Sequence, residues 1–402
     1  MDRERPPRVC FAMLYYAREH AELDPARYLE QMPIHRALPD AVAALGHEVH
    51  LVHLWSKDAE LVDGCVHHHF VAPSRGARRL APIAGRLASR DPGLYESAGR
   101  AIARVRALRP DIVHFHGLTL TLNLWLLRRA LPAAVPLVLH YHGGYPSRRR
   151  LPRRLQRDNL ERAARLCFTT RSHAAPFLAA GALRDPCRVI ELMETSTTFR
   201  RQDRQRSRAL TDMAGEPVCL WAGRLDPIKD PLTALRGFVR ILESRPGAQL
   251  YLHYLTDPLL PELQAFVSGS PGLGAHVHFR GRAPFERMEA IYSSADFLLQ
   301  ASRREFSGCA VLEAMACGAI PVVTDIPSFH AMTDGGRLGV LFPAGDDIAL
   351  AEGVLALSPG HIPGLSVAVE DHFARELSFD AMARRLAPVY AELLDAAWGA
   401  AT

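Results

Sequence analysis

The sequence predicts an α/β protein built from two parallel-sheet domains. Three observations carry that reading. Short apolar runs alternate with helical stretches in strand–helix–strand order along nearly the whole chain. At 402 residues the chain exceeds one ordinary core, so two domains of about 200 residues are expected. Between them Glu191 to Arg208, ELMETSTTFRRQDRQRSR, loses all periodicity and turns polar, as an interdomain linker does. The expected division is 1–205, 206–372 and a terminal helical segment, 373–402.

Composition narrows the class. Hydrophobic residues make up 48% and charged residues 23%, ordinary values for a globular protein. The seven cysteines show no CxxC spacing and read as buried thiols of a reducing cytoplasm. The start, MDRERPPRV, has no apolar run long enough for a secretory signal. No uninterrupted apolar stretch reaches the 18 or so residues that a membrane span needs. A cytoplasmic location is therefore expected.

In the first half, Val9 to Leu14 is a strand, Pro39 to Leu45 belongs to a helix stopped by Gly46, and Glu48 to Leu54 alternates into a second strand. The connection from Tyr15 to about Met32 reads as an unusually long loop, with Tyr15, Tyr16, Arg18, Glu19 and His20 near its start. A loop of that size at a strand end suits acceptor binding. His67, His68 and His69 invite a metal reading, but successive side chains on an extended segment point to opposite faces, so no metal site is expected there. Residues 73 to 93 read as loop with an arginine-bearing face. Ala98 to Leu108 is helix and Ile112 to Phe115 strand, ending at His116 and Gly117. A helix near Leu120 to Leu131 and the strand Leu137 to Tyr141 follow, ending at His142, Gly143 and Gly144. Two strand tips carrying His-Gly put two imidazoles on one rim of a parallel sheet. There each can donate to a sugar hydroxyl or a leaving oxygen.

Arg148, Arg149, Arg150, Arg153, Arg154 and Arg157 crowd one short stretch with no acid before Asp158. Leu151 and Leu155 give it a narrow apolar face, and Pro152 limits helix to the early turns. Such a run suits an anionic small acceptor or peripheral contact with an anionic membrane. No nucleic-acid module accompanies it. Ala163 to Thr170 carries the next strand and Ser172 to Ala180 the next helix.

The second half opens on the strand Val218 to Ala222, which runs into Gly223, Arg224, Leu225, Asp226, Pro227, Ile228 and Lys229. A helix from about Pro231 to Glu243 follows. Arg224 and Lys229 bracket a tight loop where two cations could hold a diphosphate leaving group. Leu250 to Leu255 and His276 to Phe279 are strands, Pro261 to Val267 and Phe285 to Ser293 helices. The stretch Phe297 to Asp325 then forms a βαβ unit. In it Glu305 occupies the loop, Ser307 is placed to cap the helix, Gly308 opens its first turn to phosphate oxygens, and Glu313 lies eight residues beyond Glu305. Two carboxylates beside an anion seat suit a ligand with both phosphate and hydroxyl groups. Ile348 to Leu357 is helical, and Phe379 to about Leu394 is a terminal amphipathic helix.

GRLDPIKD at Gly223 to Asp230, the Glu305/Glu313 pair and EAMACGAIPVV at Glu313 to Val323 resemble the retaining glycosyltransferases called family 4. DIVHFHG and HYHGG resemble that family's amino-terminal domain. The resemblance implies the GT-B architecture, two Rossmann-like domains facing across a cleft with the last helix crossing back to the first domain. It implies an acceptor held by the first domain through Tyr15, Tyr16, His116, His142, Gly143 and Arg149. It implies a donor nucleotide diphosphate sugar, UDP-sugar before GDP- or dTDP-sugar, held by the second. On that side Arg224 and Lys229 would take the diphosphate, Glu305 the sugar hydroxyls and Glu313 the ribose. Gly223, Gly281, Arg282, Ser307, Gly308, Cys309 and Val311 would line the same seat. His142, Arg224, Lys229 and Glu305 would form the catalytic set, with no metal and no tightly bound cofactor. The chain departs from the family where paired glycines usually follow the first strand, reading LYYAREH, and near residue 255, reading YLTDPLL. Besides transfer to a small-molecule or sugar acceptor, three readings stay open: a lipid-linked acceptor at a membrane surface, an epimerase or hydrolase of the same fold, and a non-catalytic nucleotide-sugar binder. A monomer or homodimer is expected.

Overall fold

The computed structural model describes residues 5–15, 23–32, 34–74 and 98–399. The chain divides into two compact units, Met1–Glu194 with Phe379–Thr402, and Thr195–Ser378. The expected boundaries are 205/206 and 372/373; these divisions lie at 194/195, within the polar Glu191–Arg208 stretch, and at 378/379.

The first unit holds an eight-stranded sheet in the order β3-β4-β2-β1-β5-β6-β7-β8. Its strands are β1 (Arg8–Met13), β2 (Glu48–Leu54), β3 (Ala59–Asp63), β4 (Val66–Val71), β5 (Ile112–His116), β6 (Leu137–His140), β7 (Arg165–Phe168) and β8 (Val189–Glu191). Every pairing is parallel except the β3–β4 hairpin. The central strands are buried along their length, save Arg8 at the start of β1, because helices cover both faces of a parallel sheet. These helices are α1 (Pro25–Gln31), α2 (Ile34–Ala43), α3 (Gly99–Ala107), α4 (Thr121–Ala130), α5 (Arg150–Arg162) and α6 (Arg171–Ala179).

The expected loop Tyr15–Met32 contains α1. Asp24 caps it, accepting from Ala26 N–H at 3.1 Å, and Pro25 starts it. Tyr16, Arg18, Glu19 and His20 lie outside the described residues, as does most of the expected 73–93 loop. The three histidines sit on β4 and alternate as expected: His68 meets His53 at 3.3 Å, while His69 meets His50 on the opposite face at 2.9 Å. Helix α5 runs on to Arg162, well past Pro152. A proline in the first turn removes only an N–H that had no helical partner. Its inward face is Gln156, Asn159 and Leu160 rather than Leu151 and Leu155, and Leu151 is exposed.

The second unit holds a parallel six-stranded sheet in the order β11-β10-β9-β12-β13-β14. The strands are β9 (Val218–Gly223), β10 (Gln249–Tyr254), β11 (Val277–Gly281), β12 (Phe297–Gln300), β13 (Ile320–Thr324) and β14 (Val340–Phe342). Between them run α7 (Arg204–Thr211), α8 (Pro231–Ser244), α9 (Leu260–Ser268), α10 (Phe285–Ser294), α11 (Cys309–Ala316), α12 (Pro327–Met332), α13 (Asp347–Ala356) and α14 (Ile362–His372). Trp221, Phe238, Phe297, Val322 and Leu350 sit in one continuous core under this sheet.

The last helix, α15 (Phe379–Gly399), belongs to the first unit. Its buried side carries Met382, Leu386, Tyr390 and Leu394, and the Tyr390 hydroxyl reaches Nδ1 of His114 on β5 at 2.5 Å. The chain thus returns to its first domain, as expected.

Candidate functional site

In the second unit the functional residues gather at the carboxyl edge of the sheet, where crossover loops leave room for a ligand. β9 and β12 are neighbours, so the loops that follow them lie side by side. Arg303 ties them together. Its N–H donates to the Ile228 carbonyl at 2.8 Å, and its guanidinium meets Asp230 at 2.7 Å. Asp226 shapes the first loop by accepting from the N–H groups of Ile228 and Lys229, each at 3.0 Å. Lys229 then reaches across and pairs with Glu305, both side chains being largely buried. Ser302 donates to the same Glu305 oxygen at 2.7 Å, and Gln300 to Ser302 at 3.1 Å. Arg224 stays half exposed, its Nε 3.2 Å from Asp226. Asp226 and Ser302 were not foreseen as parts of the site. An Asp three residues before the lysine was the available signal for the first, and nothing marked the second.

Helix α11 follows Glu305 and begins on Gly308 at φ 77°, where an added Cβ would overlap Cε1 of Phe329. Gly308 itself occupies the cap position, and Ser307, just before it, is buried. Cys309 is exposed at the first turn. Val311 is fully buried and its N–H donates to the Gly308 carbonyl at 2.9 Å. Glu313, one turn on, accepts from the Tyr292 hydroxyl at 2.7 Å. Burial pushes its carboxyl up to about 7, against the lowering effect of that bond. The two glutamates therefore have separate partners, Lys229 for one and Tyr292 for the other. Gly223 closes β9, and Gly281 ends β11 at φ 66°. Arg282 lines a cavity of about 210 Å³ with His253, Arg280 and Arg287, none of which belongs to the Lys229–Glu305 set.

In the first unit the carboxyl edge gathers Tyr15 after β1, His116 at the end of β5, His142 after β6 and Glu194 after β8. Nδ1 of His116 lies 2.7 Å from Nε2 of His142, and Nδ1 of His142 lies 3.4 Å from Glu194. A carboxylate only accepts, so a proton on Nδ1 of His142 would face Glu194 and leave Nε2 to accept from His116. Sequence reasoning placed Glu194 in the linker and missed it. Tyr15 is pushed up to about 12 by burial and then by the Glu194 charge. Gly143 and Gly144 both take positive φ, at 82° and 96°, and the Tyr141 hydroxyl donates to the Gly144 carbonyl at 2.7 Å. Arg149 lies exposed just before α5.

Two family models match this chain. Residues 36–192 match a glycosyl transferase 4-like domain, and residues 216–358 match the glycosyl transferases of group 1. A D-inositol 3-phosphate glycosyltransferase of Nocardia farcinica is 28% identical over 167 residues, 40% of this chain and 37% of that protein. The chain spans less than half the length of the curated relatives it matches. The fold resembles a sucrose-phosphate synthase from Thermosynechococcus elongatus, at TM-score 0.68 and 18% identity, over 98% of this chain and all of that one. It also resembles a glycosyltransferase from Rickettsia africae at TM-score 0.68 and 12% identity, covering 97% and 99% of the two chains. With both halves matched and the two-sheet fold shared, the chain belongs to the GT-B-fold glycosyltransferases of the GT4/GT1 superfamily.

Proposed function

We propose that this chain moves a sugar from a nucleoside diphosphate sugar to an acceptor hydroxyl, with retention at the anomeric carbon and no divalent cation on the diphosphate. A UDP-sugar is the first candidate donor, before a GDP- or dTDP-sugar. The observation that carries the reading is the Lys229–Glu305 pair beside the half-exposed Arg224 at one sheet edge. It offers cations for a diphosphate and a carboxylate for hydroxyls within one short span. In the reaction the bond from the anomeric carbon to the phosphate oxygen breaks, and the acceptor oxygen bonds to that carbon from the same face. The acceptor's proton passes to the leaving phosphate oxygen, so no protein base is required. The protein's main task is to balance charge growing on the diphosphate, which suits Arg224 and Lys229. Glu313 serves the ribose, its carboxylate accepting hydrogen bonds from the hydroxyls once ionised.

The acceptor side is read from His142. Both its ring nitrogens have partners, and the 3.4 Å contact with Glu194 is the looser one. An acceptor hydroxyl entering there would accept from Nδ1 and tighten the site. The likeness to D-inositol 3-phosphate glycosyltransferases supports a small soluble acceptor over a lipid-linked one. The test is a panel of nucleotide sugars against small polyols, sugars and their phosphates, read by mass spectrometry, with NMR of the product. Retention without added Mg²⁺ or Mn²⁺ is expected. An inverted linkage, a strict need for either ion, or turnover of the donor alone would each overturn the proposal.

A further inference from the structure

Two histidines of the first unit, His114 and His140, have no role in the transfer just described, and His116 enters it only as the partner of His142. His114 and His116 lie two apart on β5 and so share a face, and His140 on the adjoining β6 sits directly opposite His116. All three side chains are buried, and one ring nitrogen from each lies within 4.8 Å of the other two. We propose that His114, His116 and His140 form a binding site for one divalent transition-metal ion of the zinc type, separate from the donor residues.

The outer partners of the three rings support this assignment. A ligating histidine usually fixes its free nitrogen on a second partner, which sets the tautomer and the ring angle. Here Nδ1 of His114 meets the Tyr390 hydroxyl at 2.5 Å, and Nδ1 of His116 meets His142 at 2.7 Å, with Glu194 behind it. Nε2 of His140 meets the Met193 carbonyl at 2.9 Å. That leaves Nε2 of His114, Nε2 of His116 and Nδ1 of His140 as the nitrogens outside these outer contacts. The first and last are 3.2 Å apart, close to the roughly 3.3 Å edge of a tetrahedron with metal–nitrogen bonds of about 2.0–2.1 Å. Closing the longest side takes about 1.5 Å of ring movement to reach that edge.

A hydrogen-bond chain without an ion accounts for part of this arrangement. Tyr390 could donate to His114, His114 to His140 and His140 to the Met193 carbonyl. It leaves Nε2 of His116 buried with no partner, an expensive omission that a metal ion would remove. Three imidazoles in a thiol-free, carboxylate-free set suit Zn²⁺, and Co²⁺ as its spectroscopic stand-in, over Mg²⁺ or Ca²⁺.

The test uses the full chain, stripped with chelator and titrated with Zn²⁺ and Co²⁺. One ion per chain is expected, with tetrahedral-type Co²⁺ absorption and three imidazole nitrogens in the X-ray absorption of the zinc form. His140→Ala and His116→Gln should each weaken binding by more than the roughly 10–100-fold that loss of an outer partner costs, and Tyr390→Phe by about 10-fold. His67→Ala should change nothing. If the ligand variants fail to fold, the absorption spectrum of the unaltered chain decides. Failure to bind a stoichiometric ion, fewer than three imidazole ligands, or full binding by His140→Ala would overturn the site. None of these readouts depends on sugar transfer.

Discussion

Glu313→Gln tests whether the environment of α11 penalises the charge that ribose binding would use. Burial raises this carboxyl from its ordinary 4.5 to about 7, which corresponds to roughly 3 kcal/mol against the ionised form. The side chain keeps some solvent access, and water screens part of the penalty, so that figure is a ceiling. The sign follows from proton binding. A raised carboxyl pKa means that the folded chain holds a proton the unfolded chain has already released. Stability from this group is therefore full below about 4.5, falls as pH rises, and is lost above about 7. Glutamine keeps an oxygen for the Tyr292 hydroxyl and carries no charge. Urea melts of both proteins at about pH 5 and about pH 8 should show a relative gain for the variant of 1–3 kcal/mol, roughly, at the higher pH and little at the lower. An equal difference at both pH values would refute the reasoning, as would a variant that is weaker at the higher pH. At about pH 8, where Glu313 is ionised, nucleoside diphosphate affinity should fall about 10-fold or more in the variant, because a charged acceptor is gone.

Arg224→Ala should lower kcat/KM by an amount worth about 2–4 kcal/mol while leaving stability within about 0.5 kcal/mol, since its side chain is half exposed. Lys229→Ala should lower both, because it leaves the Glu305 carboxylate without its cation; calorimetry and steady-state kinetics on the two variants separate these effects, and unchanged kcat/KM in both would remove the donor site. Gly308→Ala should destabilise the second unit by about 1–3 kcal/mol through positive φ and overlap with Phe329, measured by chemical denaturation; a second change, Phe329→Leu, should recover the overlap part alone. Neutralising Arg150, Arg153 and Arg154 should leave turnover of a soluble acceptor within about twofold, and sedimentation with anionic vesicles should be weak for the unaltered chain at physiological salt. Strong sedimentation abolished by those changes would favour the lipid-linked acceptor.

Local sequence was enough to place most strands and helices and several of the groups that matter. Apolar runs of strand length, proline at helix starts and glycine at strand tips act over a few residues, so β9, α8, β12 and β13 were legible, together with the loops holding Arg224, Lys229 and Glu305. The short helices α1 and α12 and the hairpin β3–β4 were not, because their weak local signals are decided by what they pack against. Which loops meet was a tertiary decision. β9 pairs with β12 although β10 and β11 intervene in the chain, and that strand order alone brings Lys229 onto Glu305. In the same way β8 closes the edge of the first sheet, carrying Glu194 out of an apparent linker and onto His142. The pairing of β5 with β6 turns two ordinary His-x-His stretches into one buried cluster, and the returning α15 sets Tyr390 against it. Periodicity encodes which face of an element is buried; the identity of the neighbour comes from crossovers over tens of residues, and no local pattern records it.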